Sequence, residues 1–187
     1  MFMLYAIPIG LIVGLLLGGR LGNLAALQFR WMPVFLGGLL AQVALFSPIV
    51  TERVGNLGPP LYIASTAVVL VAVSANWRIG GVPIVVAGAL CNLAAIVANG
   101  GYMPAGESAL AGLGRILGTE YSNSAALAHP NLELLTDLFA MPAWMPFANI
   151  FSLGDVLIGT GVLVIIVAGM RRGATTHIGQ GAAAAGQ

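Results

Sequence analysis

The sequence predicts an all-α membrane protein with five transmembrane helices and a long extracytoplasmic loop, carrying short amphipathic helices, between helices 4 and 5. Three observations carry that expectation. Of the 187 residues, 59% are hydrophobic and 7% charged, at a mean hydropathy of +0.98; a soluble domain uses about a quarter charged residues to cover its surface. Five apolar stretches approach the roughly 20 residues that cross a bilayer core at about 1.5 Å per residue. The seven basic residues are all arginines, and they collect between alternate stretches.

The first stretch, 1–19, ends at Arg20. It lacks a positive leader region and its apolar run is continuous, so it is read as a retained span rather than a cleaved signal. The second, 32–50, lies between Arg30 and Glu52-Arg53, and a turn at 55–60 follows it. The third, 61–76, is the shortest and stops at Trp77-Arg78. The fourth, 82–99, carries Pro83 in its first turn, where a missing N–H costs nothing. The fifth, 155–170, is followed by Arg171-Arg172.

Arginine near span ends collects on the cytoplasmic side. With five spans, Arg20, Arg30, Arg78, Arg171 and Arg172 share one side and Arg53 and Arg115 the other. The N-terminus is therefore expected outside, the C-terminus in the cytoplasm and residues 100–154 as an extracytoplasmic cap, in a bacterial inner membrane. Residues 1–172 form one helical domain on this reading, and 173–187, all small or polar apart from Ile178, a disordered tail.

Small residues four apart let helix backbones approach. Gly10, Gly14 and Gly18 form such a face, as do Ala87, Cys91 and Ala95. The first reading is packing within the chain's own bundle. The alternative is docking of a second copy or another membrane protein through Gly10/Gly14/Gly18. Beyond the lipid bilayer no other partner is implied, and a net charge of +1 sets nucleic acid aside. Cys91 alone makes neither a disulfide framework nor a zinc cluster.

The loop predicts two amphipathic helices lying flat on the bilayer. One covers 108–117, with Leu110, Leu113 and Leu117 on a face; the other covers 130–140, with Leu132, Leu135 and Phe139. Trp144, Phe147 and Phe151, among Pro142 and Pro146, read as an interfacial anchor. Ser152 and Asp155 fit a capping box at the start of the fifth span, with Phe151 and Val156 as its staple.

Candidate chemistry is sparse. His129, Glu133 and Asp137 stand four apart, and on a helix they would share a face suited to a metal or to acid–base work; the bland reading is a water-facing helix surface. No span carries an ionisable residue at mid-depth, which proton relays and pumps require. Asn92 and Asn99, seven apart on one face, read first as packing glue and second, with Tyr102 and Asp155, as a ligand-binding pocket. Gly100-Gly101 follows no strand, so it reads as a helix end and not a nucleotide loop. No cofactor motif is present.

With Asn-Gly-Gly-Tyr-Met-Pro at 99–104 and Asn-Ile-Phe-Ser-Leu-Gly-Asp-Val-Leu-Ile at 149–158, the chain resembles a bacterial family of small multi-span membrane proteins, domain-of-unknown-function family 5317. The resemblance runs from the first span to the end of the fifth. It implies membrane location and bacterial origin but no activity. It also implies that Tyr102, Met103, Pro104, Ser152, Gly154 and Asp155 belong to one feature, with the two motifs side by side at the extracytoplasmic mouth. The expected role is a non-enzymatic membrane or accessory component. The alternatives are a transporter or binding protein for a small solute or lipid-soluble ligand, and an outward-facing enzyme using His129, Glu133 and Asp137.

Overall fold

A computed structural model describes residues 2–113, 124–125 and 129–172, and it is mostly helical. Two helical stretches are long and apolar enough to cross a membrane, Ile49–Ser74 and Leu153–Arg171; Phe2–Leu16, Met32–Leu45 and Val82–Ala98 are shorter apolar ones. The predicted disordered tail, Arg115 and the end of the helix expected at 108–117 lie outside the described residues.

Helix α1 (Ala6–Leu16) extends a 3-10 turn at Phe2–Tyr5. It ends where Gly18 takes φ +77° and the Gly19 N–H donates to the Gly14 carbonyl, so Gly18 terminates the helix instead of extending its glycine face. Helix α2 (Met32–Leu45) stops five residues short of the predicted 50. Ser47 is held extended before Pro48, as the clash with a proline ring requires, and the chain restarts as α3 (Pro48–Val54). Helix α4 (Gly58–Ser74) begins before the predicted 61, because prolines in a first helical turn lose no hydrogen bond. Helix α5 is Val82–Ala98.

These helices and α7 (Leu153–Arg171) form a row whose main neighbours run α1, α7, α5, α4, α2. The tightest seam is between α5 and α7, which are antiparallel: Gly81 faces Gly161 and Ile165, and Gly88 faces Gly154 and Ile158. A Cβ on Gly88 would collide with the Gly154 carbonyl, and one on Gly154 with the Gly88 carbonyl. The small face of α5 therefore has a seven-residue repeat, Gly81, Gly88 and Ala95. It is not the predicted Ala87, Cys91, Ala95, since Ala87 is exposed and Cys91 half-buried. Gly10 and Gly14 of α1 pack on Ile166 and Met170 of α7, so this glycine face is filled from within the chain.

A row leaves apolar flanks uncovered. Leu16 is 81% exposed and Val43 71%.

One end of the row gathers arginines. The Arg20 N–H (3.0 Å) and the Asn23 amide (2.7 Å) both donate to the Met170 carbonyl, beside Arg171 and Arg172. Buried Asn76 accepts from the Arg30 N–H at 2.7 Å and donates back to the Arg30 carbonyl at 3.0 Å, two residues before Arg78. Two connectors are thereby stitched to the ends of α7 and α4.

The opposite end carries the cap. Gly100 (φ +70°) and Gly101 (φ +94°) end α5, with the Gly101 N–H donating to the Ile96 carbonyl; Gly101 also lies so close to Pro59 that no Cβ would fit. The turn aims strand β1 (Met103–Pro104) at the bundle, and Met103 enters a core of Leu45, Tyr62, Ala95 and Ile96. β1 pairs in parallel with β2 (Ser124–Ala125). A short helix α6 (Glu107–Gly112) follows β1 in the chain and buries Ala109 and Leu110 against Ala105 and Ile150.

The helix predicted at 130–140 does not form. Leu132 is left-handed (φ +52°), Glu133–Leu135 is a single 3-10 turn, and β3 (Phe139–Ala140) pairs antiparallel with β4 (Ile150–Phe151). The backbone at 137 is captured instead by the β1 segment: the Asp137 N–H donates to the Pro104 carbonyl and the Gly106 N–H to the Asp137 carbonyl, both at 2.9 Å. Those groups are then lost to any helical ladder. Trp144 and Phe147 are exposed as an anchor requires, but Phe151 is not part of it. Its ring stacks on Phe2 at 4.3 Å and on Phe139 at 5.5 Å.

Candidate functional site

The polar centre of the molecule lies where the cap meets the first turn of α7. Because Gly88 and Gly154 lack side chains, α5 and α7 approach closely enough for Asn92 to reach across. Its amide donates to Asp155 Oδ1 at 2.9 Å and its Oδ1 accepts the Ser152 hydroxyl at 2.8 Å. Asn92 Oδ1 occupies the space a Gly154 Cβ would need.

Ser152, fully buried, caps α7. Its Oγ accepts from the Asp155 N–H at 3.1 Å, while Asp155 Oδ2 accepts from the Ser152 N–H at 3.3 Å. This reciprocal box satisfies two donors that a helix start leaves open, and the carboxylate sits at the positive end of the helix dipole. Asn92, Ser152 and Asp155 thus form a closed ring of hydrogen bonds joining two helices.

Asp137 stands two residues before β3, the strand that pairs with β4 at the entry to α7. The side chain is buried, and Oδ1 has no hydrogen-bond partner among the described residues. Burial, and secondarily the charge of Asp155, push its carboxyl up to about 7. A carboxyl with that value exchanges its proton near neutrality, which makes it the most chemically distinctive group described here.

Asn99, grouped with Asn92 by its spacing, does other work. Its amide donates to the Asn131 and Ala95 carbonyls, and its Oδ1 accepts from the Asn131 N–H at 2.8 Å. Asn131 in turn donates to the Ala98 carbonyl at 3.0 Å, so the pair clasps the cap to the end of α5. Tyr102 is half-buried on the segment between that clasp and β1.

The trio His129, Glu133 and Asp137 is not brought together as a helical face. His129 and Glu133 are exposed while Asp137 is buried, because the segment is a turn followed by a β-bridge. Among the described residues no three His, Cys, Asp or Glu side chains gather as metal ligands. Ala105, directly after the first sequence motif, belongs to the same buried cluster as Ile150 of the second.

A model of a family of unknown function, DUF5317, matches residues 26–167. The chain belongs to this family. The DUF5317 match begins after α1, so Gly10, Gly14 and Arg20 lie before it, whereas both motifs and the Asn92–Ser152–Asp155 ring lie within it. No curated protein and no solved structure matches the chain.

Asn131 and the burial of Asp137 were beyond sequence reasoning. The seven-residue glycine repeats, 81 and 88 against 154 and 161, were a usable signal for the α5–α7 seam.

Proposed function

We propose that this DUF5317 protein is a non-enzymatic component of a bacterial inner membrane, crossing it five times with its N-terminus outside, its C-terminus in the cytoplasm and its cap on the extracytoplasmic face. The observation that carries the reading is the polarity of the row. Arg20, Arg30, Arg78, Arg171 and Arg172 belong to the end stitched by Met170 and Asn76, and the cap closes the other. Such segregation is what the positive-inside rule selects.

Exposed leucine and valine along both flanks support lipid as the surrounding medium. The shorter helices reach the interfaces through neighbours: Phe2–Tyr5 extends α1, and Arg30-Trp31 precedes α2. Asn92, Ser152 and Asn99 are engaged in joining helices and cap, which suits an accessory component better than an enzyme.

Reporter fusions at the two termini test the topology, with opposite compartments expected; both termini in one compartment would overturn it. Purification in mild detergent tests the accessory role, with a stoichiometric protein companion as the expected result. A second reading, a binding protein or transporter for a small solute or lipid-soluble ligand, draws on the polar ring beneath the cap. Solute flux in proteoliposomes, abolished by Asn92→Ala, would favour it.

A further inference from the structure

We propose that the arginine end of the α2–α4 seam binds one anionic phospholipid of the phosphatidylglycerol class, with its phosphate on Arg30 and Arg78 and an acyl chain in the groove between the two helices. The lipid site rests on the membrane reading, which puts that groove in the bilayer and those arginines at its cytoplasmic surface.

Two Arg–Trp dipeptides of opposite order meet around one asparagine. The Asn76 side chain accepts from the Arg30 N–H at 2.7 Å and donates to the Arg30 and Ala72 carbonyls, each at 3.0 Å. The Asn76 backbone carbonyl accepts the Ile79 N–H at 2.9 Å, closing a turn with Trp77 and Arg78 at its tip. Buried Asn76 thereby places Arg30-Trp31 and Trp77-Arg78 next to itself, and all four residues are exposed. The described carboxylates are elsewhere: Glu52 is in α3, Glu107, Glu133 and Asp137 are in the cap, and Asp155 is in the first turn of α7. The positive charge at this end is therefore left without a counter-charge from the described residues. Guanidinium groups take phosphate oxygens in pairs, tryptophan settles at headgroup depth, and the cytoplasmic leaflet is the anionic one.

An apolar groove starts at the same place. Antiparallel α2 and α4 meet where Val69 fills the space beside Gly38 and where the Gln42 amide donates to the Thr66 hydroxyl at 3.2 Å. Along one flank of that seam Trp31, Val34, Ala67, Val68 and Val71 line a groove of about 240 Å³, with no charged or hydroxyl-bearing side chain in its wall. From Val71 to Ala67 it follows α4 for about 6 Å, room for the upper methylenes of an acyl chain. Trp31, the lining residue adjacent to Arg30, has a left-handed backbone (φ +59°), which is rare for a bulky side chain. Such strain persists where the surroundings over-determine it, and the two Asn76 bonds to Arg30 do so here. Charge and groove are thus contiguous, headgroup side to chain side.

The test uses the full chain in dodecyl maltoside, delipidated and returned to phosphatidylglycerol or to phosphatidylcholine with the same acyl chains. Native mass spectrometry should retain one phosphatidylglycerol per chain in preference to phosphatidylcholine, and Tm should rise with phosphatidylglycerol alone. Arg30→Gln combined with Arg78→Gln should weaken phosphatidylglycerol binding by about tenfold or more. Ala67→Phe, which fills the groove with both arginines intact, should weaken it as well. Arg171→Gln combined with Arg172→Gln, at the same end but on α7, should leave it unchanged. A wild-type chain without a preference for phosphatidylglycerol overturns the proposal whatever the variants do. So does unchanged affinity in either groove variant, or an equal loss in the α7 variant, which would mean a diffuse field and not a site. Displacement of the lipid by glycerol 1-phosphate would overturn it in favour of a headgroup-only site. Recovery of the chain in the aqueous fraction of lysed cells would sink the membrane reading itself, whereas a membrane-bound chain indifferent to phosphatidylglycerol sinks the lipid site alone.

Discussion

The side-chain amide of Asn92, midway along α5, donates to Asp155 Oδ1 in the first turn of α7 at 2.9 Å. The same asparagine accepts the Ser152 hydroxyl, so the N-cap of α7 and its contact with α5 are one unit. Asn92→Leu should therefore cost about 1.5–3 kcal/mol, the scale of a hydrogen bond to a charged group. Ser152→Ala should cost about 0.5–2 kcal/mol. The double variant should lose less than the total of the two, since each disables the same ring. Unfolding of the solubilised chain in a denaturing-detergent titration measures all three.

Gly154→Ala should destabilise by about 1–3 kcal/mol, because the new methyl occupies the position of Asn92 Oδ1 and the Gly88 carbonyl. Combining it with Asn92→Ala should recover part of the loss by vacating that space. Gly37→Ala, in the interior of α2 with nothing within 4 Å of the added carbon, should instead stabilise by about 0.4–1 kcal/mol. Opposite signs for two glycine-to-alanine changes in one melting series are the expected result.

Asp137 predicts a pH dependence of definite sign. Its carboxyl is raised from 3.8 to about 7, so between those values the folded chain binds more protons than the unfolded one. The contribution of Asp137 to stability is then fully present below about pH 4, falls as pH rises through 7 by up to about 1.4 kcal/mol per unit, and levels off above. Asp137→Asn should flatten that slope. Thermal melts of the wild type and of Asp137→Asn across the range check it, and no difference in slope between them would refute the assignment.

Asn99 and Asn131 clasp the cap reciprocally. Either alanine variant should open the 99–106 segment, at about 1 kcal/mol per bond lost, and the double variant should be little worse than either single one. Faster hydrogen exchange at Met103 and Ala105, with exchange along α7 unchanged, is the expected signature. Cleavage by added protease near the clasp gives an independent readout.

Local chemistry carried a good part of this far. Pro83 in a first helical turn, the Gly100-Gly101 helix end and the Ser152–Asp155 box are decided within a few residues, and each is legible for that reason. The predicted helix at 130–140 failed where its backbone, at Asp137, found partners more than two dozen residues earlier in the chain, at Pro104 and Gly106. Span boundaries shifted at Pro48 and Pro59, where steric rules about proline outweigh hydropathy.

By itself the sequence determined the apolar helices, their order, the uneven distribution of arginine and the cap of α7, because composition and short-range sterics act without a partner. Only the tertiary structure decided that α5 meets α7 through glycines seven apart, that Asn92 serves Asp155 while Asn99 serves Asn131, and that Asp137 is buried. Those outcomes depend on which surfaces come within a few ångströms of each other, and burial and pairing have no meaning for a residue until its distant neighbours are in place.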